Sequence, residues 1–184
     1  MIPEQVLHSQ HFTLIVVANH TAKNGLRESF SNWGEGGGSG TSLFIGTNGA
    51  TQIRLTDAFS TAGHLNNPQS HFGLMAINSG DGAATFQNGR PLASTASLPA
   101  RKLLQPYTIG TQGTINGEYW QGDIAELIVI NRGLNQTEQA GVWRYLAERY
   151  GFVTESDPIN DPGHLALASL CHVLLNANEF VYLD

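Results

Sequence analysis

The sequence predicts an all-β fold, a two-sheet antiparallel sandwich that a helix covers on one face. Three features of the 184 residues support this: the chain has 21 glycines, only 13% of its residues are charged, and short apolar runs alternate with Gly, Asn and Ser turns. Glycine gives tight turns the backbone freedom that they need, and few charges disfavour exposed helices. Seven or more short strands separated by such turns are typical of a sandwich or barrel.

The predicted strands are short and lie between residues 12 and 130. They span residues 12–18, 43–45, 51–55, 72–77, 83–86, 91–93, 107–110 and 124–130. The pair Asn88-Gly89 separates two of them. Because Asn and Gly tolerate positive φ, this pair predicts a tight hairpin.

The first and last of these strands are apolar on both faces. In 12–18, Phe12, Leu14, Val16 and Ala18 alternate with Ile15 and Val17; in 124–130, Ile124, Ile128 and Ile130 oppose Ala125, Leu127 and Val129. A strand in a plain sandwich has one face in water and should alternate apolar with polar residues. We therefore expect these two strands to be neighbours whose outer face is covered.

The chain supplies a helix for that cover at about residues 136–150. Asn135 is a good N-cap, Glu138 completes a capping box, and Gly151 provides a left-handed stop. Apolar residues recur at helical spacing between them: Ala140, Trp143, Leu146, Ala147 and Tyr150. Burial of each large side chain stabilises the fold by about 1.5–3 kcal/mol.

Composition excludes several classes of function. The net charge is −6 and no Lys/Arg cluster is present, which argues against nucleic acid and against anionic membrane surfaces. No apolar stretch reaches the roughly 18 residues that membrane insertion requires. The one cysteine, Cys171, excludes an intrachain disulfide. The first residues lack a basic segment followed by an apolar run, so we expect no signal peptide within this sequence.

The C-terminal part predicts a separate tail. We expect a sandwich with its closing helix at 1–152, a linker at 153–163 and a helical tail at 164–184, with a second helix at about 163–180. Most of that helix is apolar, so it requires a partner surface. The partner is either another domain of a parent polypeptide or a second copy of the chain in a homodimer.

The segment 119–138, YWQGDIAELIVINRGLNQTE, resembles the closing strand of bacterial laminin-G-like, concanavalin-A-like jelly rolls. In that family an aromatic-x-Gly-x-Ile-x-Glu strand leads into Asn-Arg-x-Leu and a helix. Residues 86–89 are similar to the family's hairpin, and residues 107–110 to its next-to-last strand. The likeness covers residues 11–152 and implies a concanavalin A-like jelly roll.

The tail carries a second resemblance, through Leu174-Leu175-Asn176-x-Asn178-Glu179-Phe180. Residues 167–184 are similar to the C-terminus of large uncharacterised envelope proteins of planctomycete type, which also carry cytochrome-c-like segments. This resemblance implies that the chain is the C-terminal end of a larger multidomain protein that is extracellular or belongs to the cell envelope. It implies no redox chemistry for this piece.

Trp33 is the best candidate for stacking against a sugar, because the apolar faces of sugars match aromatic rings. It precedes a glycine-rich loop at 34–40, and Asn32 and Glu35 beside it offer hydrogen bonds. The alternative is that Trp33 only pins its loop.

Calcium enters as a candidate cofactor through the resemblance, because many relatives bind it at a rim. Ca²⁺ takes six to eight oxygen ligands, and Asp57, Asp81 and Asp123 lie in or beside predicted turns. The alternative is that these aspartates cap turns.

The carboxylates do not predict catalysis. Retaining glycoside hydrolysis needs two carboxylates about 5–5.5 Å apart, whereas Asp123 and Glu126 lie on opposite faces of a regular strand. The Glu-x-Asp-x-x-Glu run of family hydrolases is absent. Glu126 is either a ligand-binding carboxylate or a buried one satisfied by backbone donors or Arg132.

We therefore expect a non-catalytic binding module that recognises glycan or protein through loops at a sandwich edge. The alternative is a purely structural spacer that docks on its parent protein. An enzyme, the third hypothesis, would need a pair of carboxylates on one face.

Overall fold

The computed structural model describes residues 1–21, 24–34, 38, 40–49, 52–57, 59–62 (backbone only), 71–79, 81–96 and 98–151. Within these residues, two five-stranded antiparallel sheets form a sandwich, which confirms the predicted fold class. The first sheet has the order β10-β1-β6-β7-β8 and the second β5-β4-β3-β2-β9. The elements are β1 Phe12–Ala18, β2 Leu26–Ser31, β3 Phe44–Asn48, β4 Gln52–Leu55, β5 Phe59–Ala62, β6 Phe72–Ser79, β7 Gly82–Gln87, β8 Arg90–Thr95, β9 Thr108–Ile109, β10 Ile124–Ile130 and α1 Gln136–Tyr150.

The two sheets enclose the main core. β1 lies between β10 and β6, and Ile15 pairs with Ile128 on one side and Met75 on the other. The side chains that fill the space between the sheets include Phe12, Leu14, Val16, Phe30, Leu43, Ile45, Ile53, Leu55, Leu74 and Tyr107. Between β7 and β8, Asn88 and Gly89 both have positive φ, so the tight hairpin is confirmed.

Helix α1 covers the outer face of the first sheet, as predicted. Asn135 caps it: the side chains of Asn135 and Glu138 each accept a hydrogen bond from the other residue's backbone N–H. A second core forms beneath the helix from Ile15, Val17, Met75, Ile77, Leu134, Trp143 and Leu146. The apolar outer faces of β1 and β10 are therefore explained by this cover.

A register shift in β10 corrects one expectation. Val17 pairs with Glu126, but the next residue, Ala18, pairs with Ile124. The extra residue reverses the alternation, as a β-bulge does. Ile124 therefore packs against the core between the sheets, while Ile128 packs under the helix. The prediction that these two isoleucines share a face was wrong.

Two strands, β2 and β5, were not expected from the sequence. β2, LRESFS, has Arg27 and Glu28 between its two apolar residues, Leu26 and Phe30, and a register shift between Glu28 and Phe30. β5 is only four residues long and has one large apolar residue. Both patterns are too short or too irregular for the alternation that identifies a strand.

The predicted linker at 153–163 and the tail helix at about 163–180 lie outside the described residues. Within the part of the chain that is described, no helix combines the length and hydropathy needed to cross a lipid bilayer.

Candidate ligand-binding site

The second sheet brings charged residues together on its outer face. Ile45 and Ile53 are buried in the main core, so the next residues along β3 and β4, Gly46 and Arg54, belong to the opposite face. Glu28 in β2 pairs with Gly46, which in turn pairs with Arg54. Gly46 has no side chain between Glu28 and Arg54, and a Cβ at this position would lie 2.1 Å from the carbonyl oxygen of Arg27. This position therefore requires glycine.

Arg54 is held in place by Glu118 and by the ring of Phe44. Its Nη1 lies 3.3 Å from Oε2 of Glu118, and its guanidinium carbon lies 4.6 Å from the ring centroid of Phe44. Gln112 Nε2 donates to the other oxygen of Glu118 at 3.3 Å. The side chains of Arg54 and Glu118 are 12% and 19% exposed, so the network is shielded but reachable from the surface.

Glu28 lies beneath this network and is fully buried. Neither of its carboxyl oxygens has a hydrogen-bond partner among the described residues. Burial is the main cause that raises the pKa of Glu28 to about 8. The neighbouring Glu118 carboxylate acts in the same direction, while Ser31 and Arg54 act in the opposite direction. Buried carboxyl groups are usually hydrogen-bonded, so Glu28 is an uncommon feature of the described fold.

Two aromatic residues form the rim of the cluster. Trp33 follows β2 and is half-buried, with its indole centroid 5.9 Å from that of Phe44. Tyr119 is 55% exposed and forms a bridge beside Glu28, and its hydroxyl donates to Asn116. We call the group of Trp33, Arg54, Gln112, Glu118 and Tyr119, with Glu28 beneath it, the edge site.

The three residues expected to bind ligand have different positions. Trp33 lies at the rim of the edge site. Asn32 is fully buried, and its Nδ2 donates to the carbonyls of Lys102 at 2.6 Å and Leu104 at 3.0 Å. Its Oδ1 accepts from the backbone N–H of Leu43 at 2.7 Å, so its amide joins segments of the fold. Glu35 lies outside the described residues.

The three aspartates named as candidate calcium ligands are not grouped in one place in the described structure. Asp81, in the β6–β7 hairpin, and Asp123, before β10, lie at opposite ends of the first sheet. A seven-residue strand separates these ends by roughly 20 Å. In the residues that the structure describes, no three His, Cys, Asp or Glu side chains are grouped to hold a metal.

Two of these aspartates have partners of their own. Asp57 accepts from Nη1 of Arg101 at 2.8 Å and from the backbone N–H of Gly40. Asp123 accepts from Nδ2 of Asn19 at 2.9 Å. These contacts agree with the alternative interpretation, in which the aspartates fix turns and loops.

Glu126 links β10 to the helix. It accepts hydrogen bonds from the hydroxyls of Tyr150 at 2.7 Å and Tyr145 at 3.0 Å, and Arg149 lies 3.5 Å away. The expected partner, Arg132, instead pairs with Glu138 at 2.7 Å. Glu126 is thus satisfied by partners within the fold, but by helix side chains that the sequence analysis did not name.

A separate groove of about 400 Å³ lies between the β6–β7 hairpin and the start of α1. Its described lining is mostly small residues, including Gly82, Ala83, Ala84 and Ser94, and Asp81 is the one charged residue among them. The groove has polar side chains, among them Ser79, Thr95 and Gln139, but neither tryptophan nor tyrosine is among its described lining residues. The edge site combines fixed polar groups with two such aromatic rings, so it is the better candidate.

Sequence reasoning named Trp33 as a candidate but did not name the charged residues of the edge site. They come from β2, β4 and the segment 110–119, and the pairing of strands brings them together. One signal was available in the sequence. Leu26 and Phe30 alternate with polar residues as in a strand, and Glu28 takes the position between them at which an apolar residue is expected.

No family model matches the sequence, and no curated protein matches it. Several solved structures do resemble the fold. The CBM40 of the Ruminococcus gnavus IT-sialidase, bound to α2,3-sialyllactose, superposes with a TM-score of 0.58 at 14% identity, covering 72% of this chain and 82% of that one. A heptameric SAP-like pentraxin from Limulus polyphemus gives 0.57 at 16%, covering 73% and 70%.

A third similar structure is the K499G mutant of NanB sialidase from Streptococcus pneumoniae, with a TM-score of 0.59 and 16% identity. The match covers 72% of this chain and 24% of the sialidase. At such identities the likeness shows the fold alone. Together with the two antiparallel sheets, it identifies the chain as a jelly-roll sandwich of the concanavalin A-like class.

Proposed function

We propose that the chain is a non-catalytic carbohydrate-binding module and that the edge site is where it contacts glycan. The observation that carries the proposal is the juxtaposition of two accessible aromatic residues, Trp33 and Tyr119, with the Arg54–Glu118–Gln112 network. The outer face of the first sheet is covered by α1, so it offers no comparable surface over β1 and β10.

The chemistry of the edge site suits a sugar. Carbohydrates present apolar C–H faces, which aromatic rings can cover, and hydroxyl groups, which both donate and accept hydrogen bonds. Glu118 accepts, Arg54 donates, and the amide of Gln112 does both. An aromatic surface with a few fixed polar groups is the usual composition of a small-molecule site.

The comparisons support this proposal at the level of the fold. The CBM40 structure holds α2,3-sialyllactose, and a second CBM40 structure holds α2,6-sialyllactose, so this sandwich fold serves sugar recognition elsewhere. Fold alone does not determine function, and the proposal depends on the residues of the edge site.

The test is binding to a panel of immobilised glycans by the wild-type chain and two variants, Trp33→Ala and Tyr119→Ala. We expect each variant to weaken binding about tenfold or more, a loss of roughly 1.4 kcal/mol. Tyr145→Ala is the matched control, because Tyr145 is also an exposed tyrosine, at 42%, but lies on α1. Absence of binding to every glycan, or equal loss in the control, would contradict the proposal.

The proposal excludes catalysis on a specific ground. Glu28 and Glu118 are neighbouring carboxyl groups, the kind of pair that an enzyme would need. However, Glu28 is fully buried and cannot contact a glycosidic bond in this arrangement. We therefore expect every glycan on the panel to be recovered intact, and cleavage that depends on Glu118 would overturn this part of the proposal.

We further propose that the sandwich, residues 1–152, serves a larger envelope or extracellular protein, with the linker at 153–163 and the tail at 164–184 joining it to other domains. The sequence resemblance of the tail supports this arrangement. A homodimer formed through the tail remains a prediction. The alternative function, a structural spacer, has the same domain arrangement but requires no ligand. The glycan panel therefore distinguishes a binding module from a spacer.

A further inference from the structure

We propose that the edge site selects neutral, hydroxyl-rich glycans and discriminates against sugars that carry a carboxylate. This inference rests on the proposed glycan-binding function and names the class of ligand for the same site. The inference is based on the charged groups of the edge site. Arg54 supplies its cation, and that cation is already paired with Glu118 and packed over the ring of Phe44.

An acidic sugar needs a free cation or free N–H donors to replace the water around its carboxylate. Arg54 could serve only by leaving Glu118, whose side chain is 19% exposed. Glu118 would then keep its negative charge in a shielded position with Glu28 close by. Separating a partly buried carboxylate from its cation is unfavourable, so the exchange opposes binding of an anion.

Glu28 adds to this discrimination from below. Its two carboxyl oxygens are fully buried and have no hydrogen-bond partner among the described residues. The raised pKa of this group, about 8, means that it carries a proton at neutral pH, which leaves Arg54 and Glu118 as a balanced pair. Any ionisation of Glu28 makes the site more negative and disfavours an acidic sugar further.

A neutral sugar requires none of this rearrangement. Its hydroxyl groups can approach Glu118 and the amide of Gln112 at the surface while the pair of Arg54 and Glu118 stays intact. Its C–H faces can lie on Trp33 or Tyr119. The existing network thus fits a hydroxyl-rich ligand better than the carboxylate-bearing sialyllactose present in the CBM40 structure.

The experiment measures binding to matched pairs of neutral and acidic glycans, with lactose and 3′-sialyllactose as one pair and glucose- and glucuronate-terminated oligosaccharides as the second. We expect the neutral member of any bound pair to bind about tenfold or more tightly than its acidic partner. In Glu118→Gln, which releases Arg54 and removes one negative charge, the preference should shrink to about threefold or less.

Glu126→Gln serves as the control, because Glu126 is also hydrogen-bonded to neighbouring side chains but lies under α1, and this variant should keep the full preference. Tighter binding of the acidic members by the wild-type chain would overturn the inference while leaving the proposed function supported. The wild-type comparison decides this even if Glu118→Gln fails to fold. Absence of binding to both members of every pair would overturn the proposed function and this inference together.

Discussion

At the scale of single residues, Glu28 stands out because its carboxyl group is buried, whereas most glutamates lie at the protein surface. It stands in the interior of a sheet, below an ion pair, and is without hydrogen-bond partners there. Such a residue lowers the stability of the fold whenever it must ionise. Because its pKa is raised to about 8, we expect Glu28 to be mostly in its neutral form in the folded chain at pH 7.

Glu28 makes stability depend on pH in a predictable direction. Its pKa rises from 4.5 to about 8 on folding, so the folded chain binds the proton more tightly than the unfolded chain. The contribution of Glu28 is therefore fully present below pH 4.5 and is lost as the pH rises toward 8. The loss is on the order of 1 kcal/mol per pH unit across that window, because one pKa unit corresponds to about 1.4 kcal/mol.

Glu28→Gln should remove this dependence, since glutamine does not ionise. Urea unfolding at pH 5 and pH 8.5 should show that the variant gains stability relative to wild type as the pH rises. Glu126→Gln is the comparison, because that glutamate already has hydroxyl donors. Parallel pH profiles for wild type and Glu28→Gln would show that the buried carboxyl does not behave as described.

At the scale of elements, the helix was predictable because its signals are local. Asn135 and Glu138 mark its start, Gly151 marks its end, and the apolar stripe between them follows helical spacing. The sequence also predicted that the outer face of the first sheet is covered, because β1 and β10 are apolar on both faces. The bulge before Glu126 was not, because nothing in the strand's composition shows where an extra residue interrupts pairing.

Trp143 carries the packing between the helix and the first sheet. It is 2% exposed and lies in the second core with Ile15 and Val17. We expect Trp143→Ala to lower the free energy of unfolding by about 3–5 kcal/mol, because it removes a large buried side chain. Tyr145→Ala, on the exposed side of the same helix, should cost about 1 kcal/mol. Equal effects in urea unfolding would mean that the helix does not pack as described.

At the scale of the whole molecule, the two outer faces of the sandwich differ: one is covered by the helix and the other carries the edge site. The first sheet uses α1 to bury its outer face, and the second brings Glu28, Arg54 and Glu118 together on its outer face. The sequence predicted the fold class because turns and alternation recur along the chain. It did not predict the edge site, because residues 28, 54 and 118 become neighbours only through strand pairing over long sequence separations.

The three tryptophans allow the central claim to be tested in the unmodified chain. Trp33 lies at the rim of the edge site, Trp120 packs against the main core, and Trp143 lies beneath α1. Titration with a neutral glycan that binds, followed by the NMR signals of the indole N–H groups, should shift the signal of Trp33 and leave that of Trp143 unchanged. A saturable shift confined to Trp143, with Trp33 unaffected, would contradict binding at the edge site.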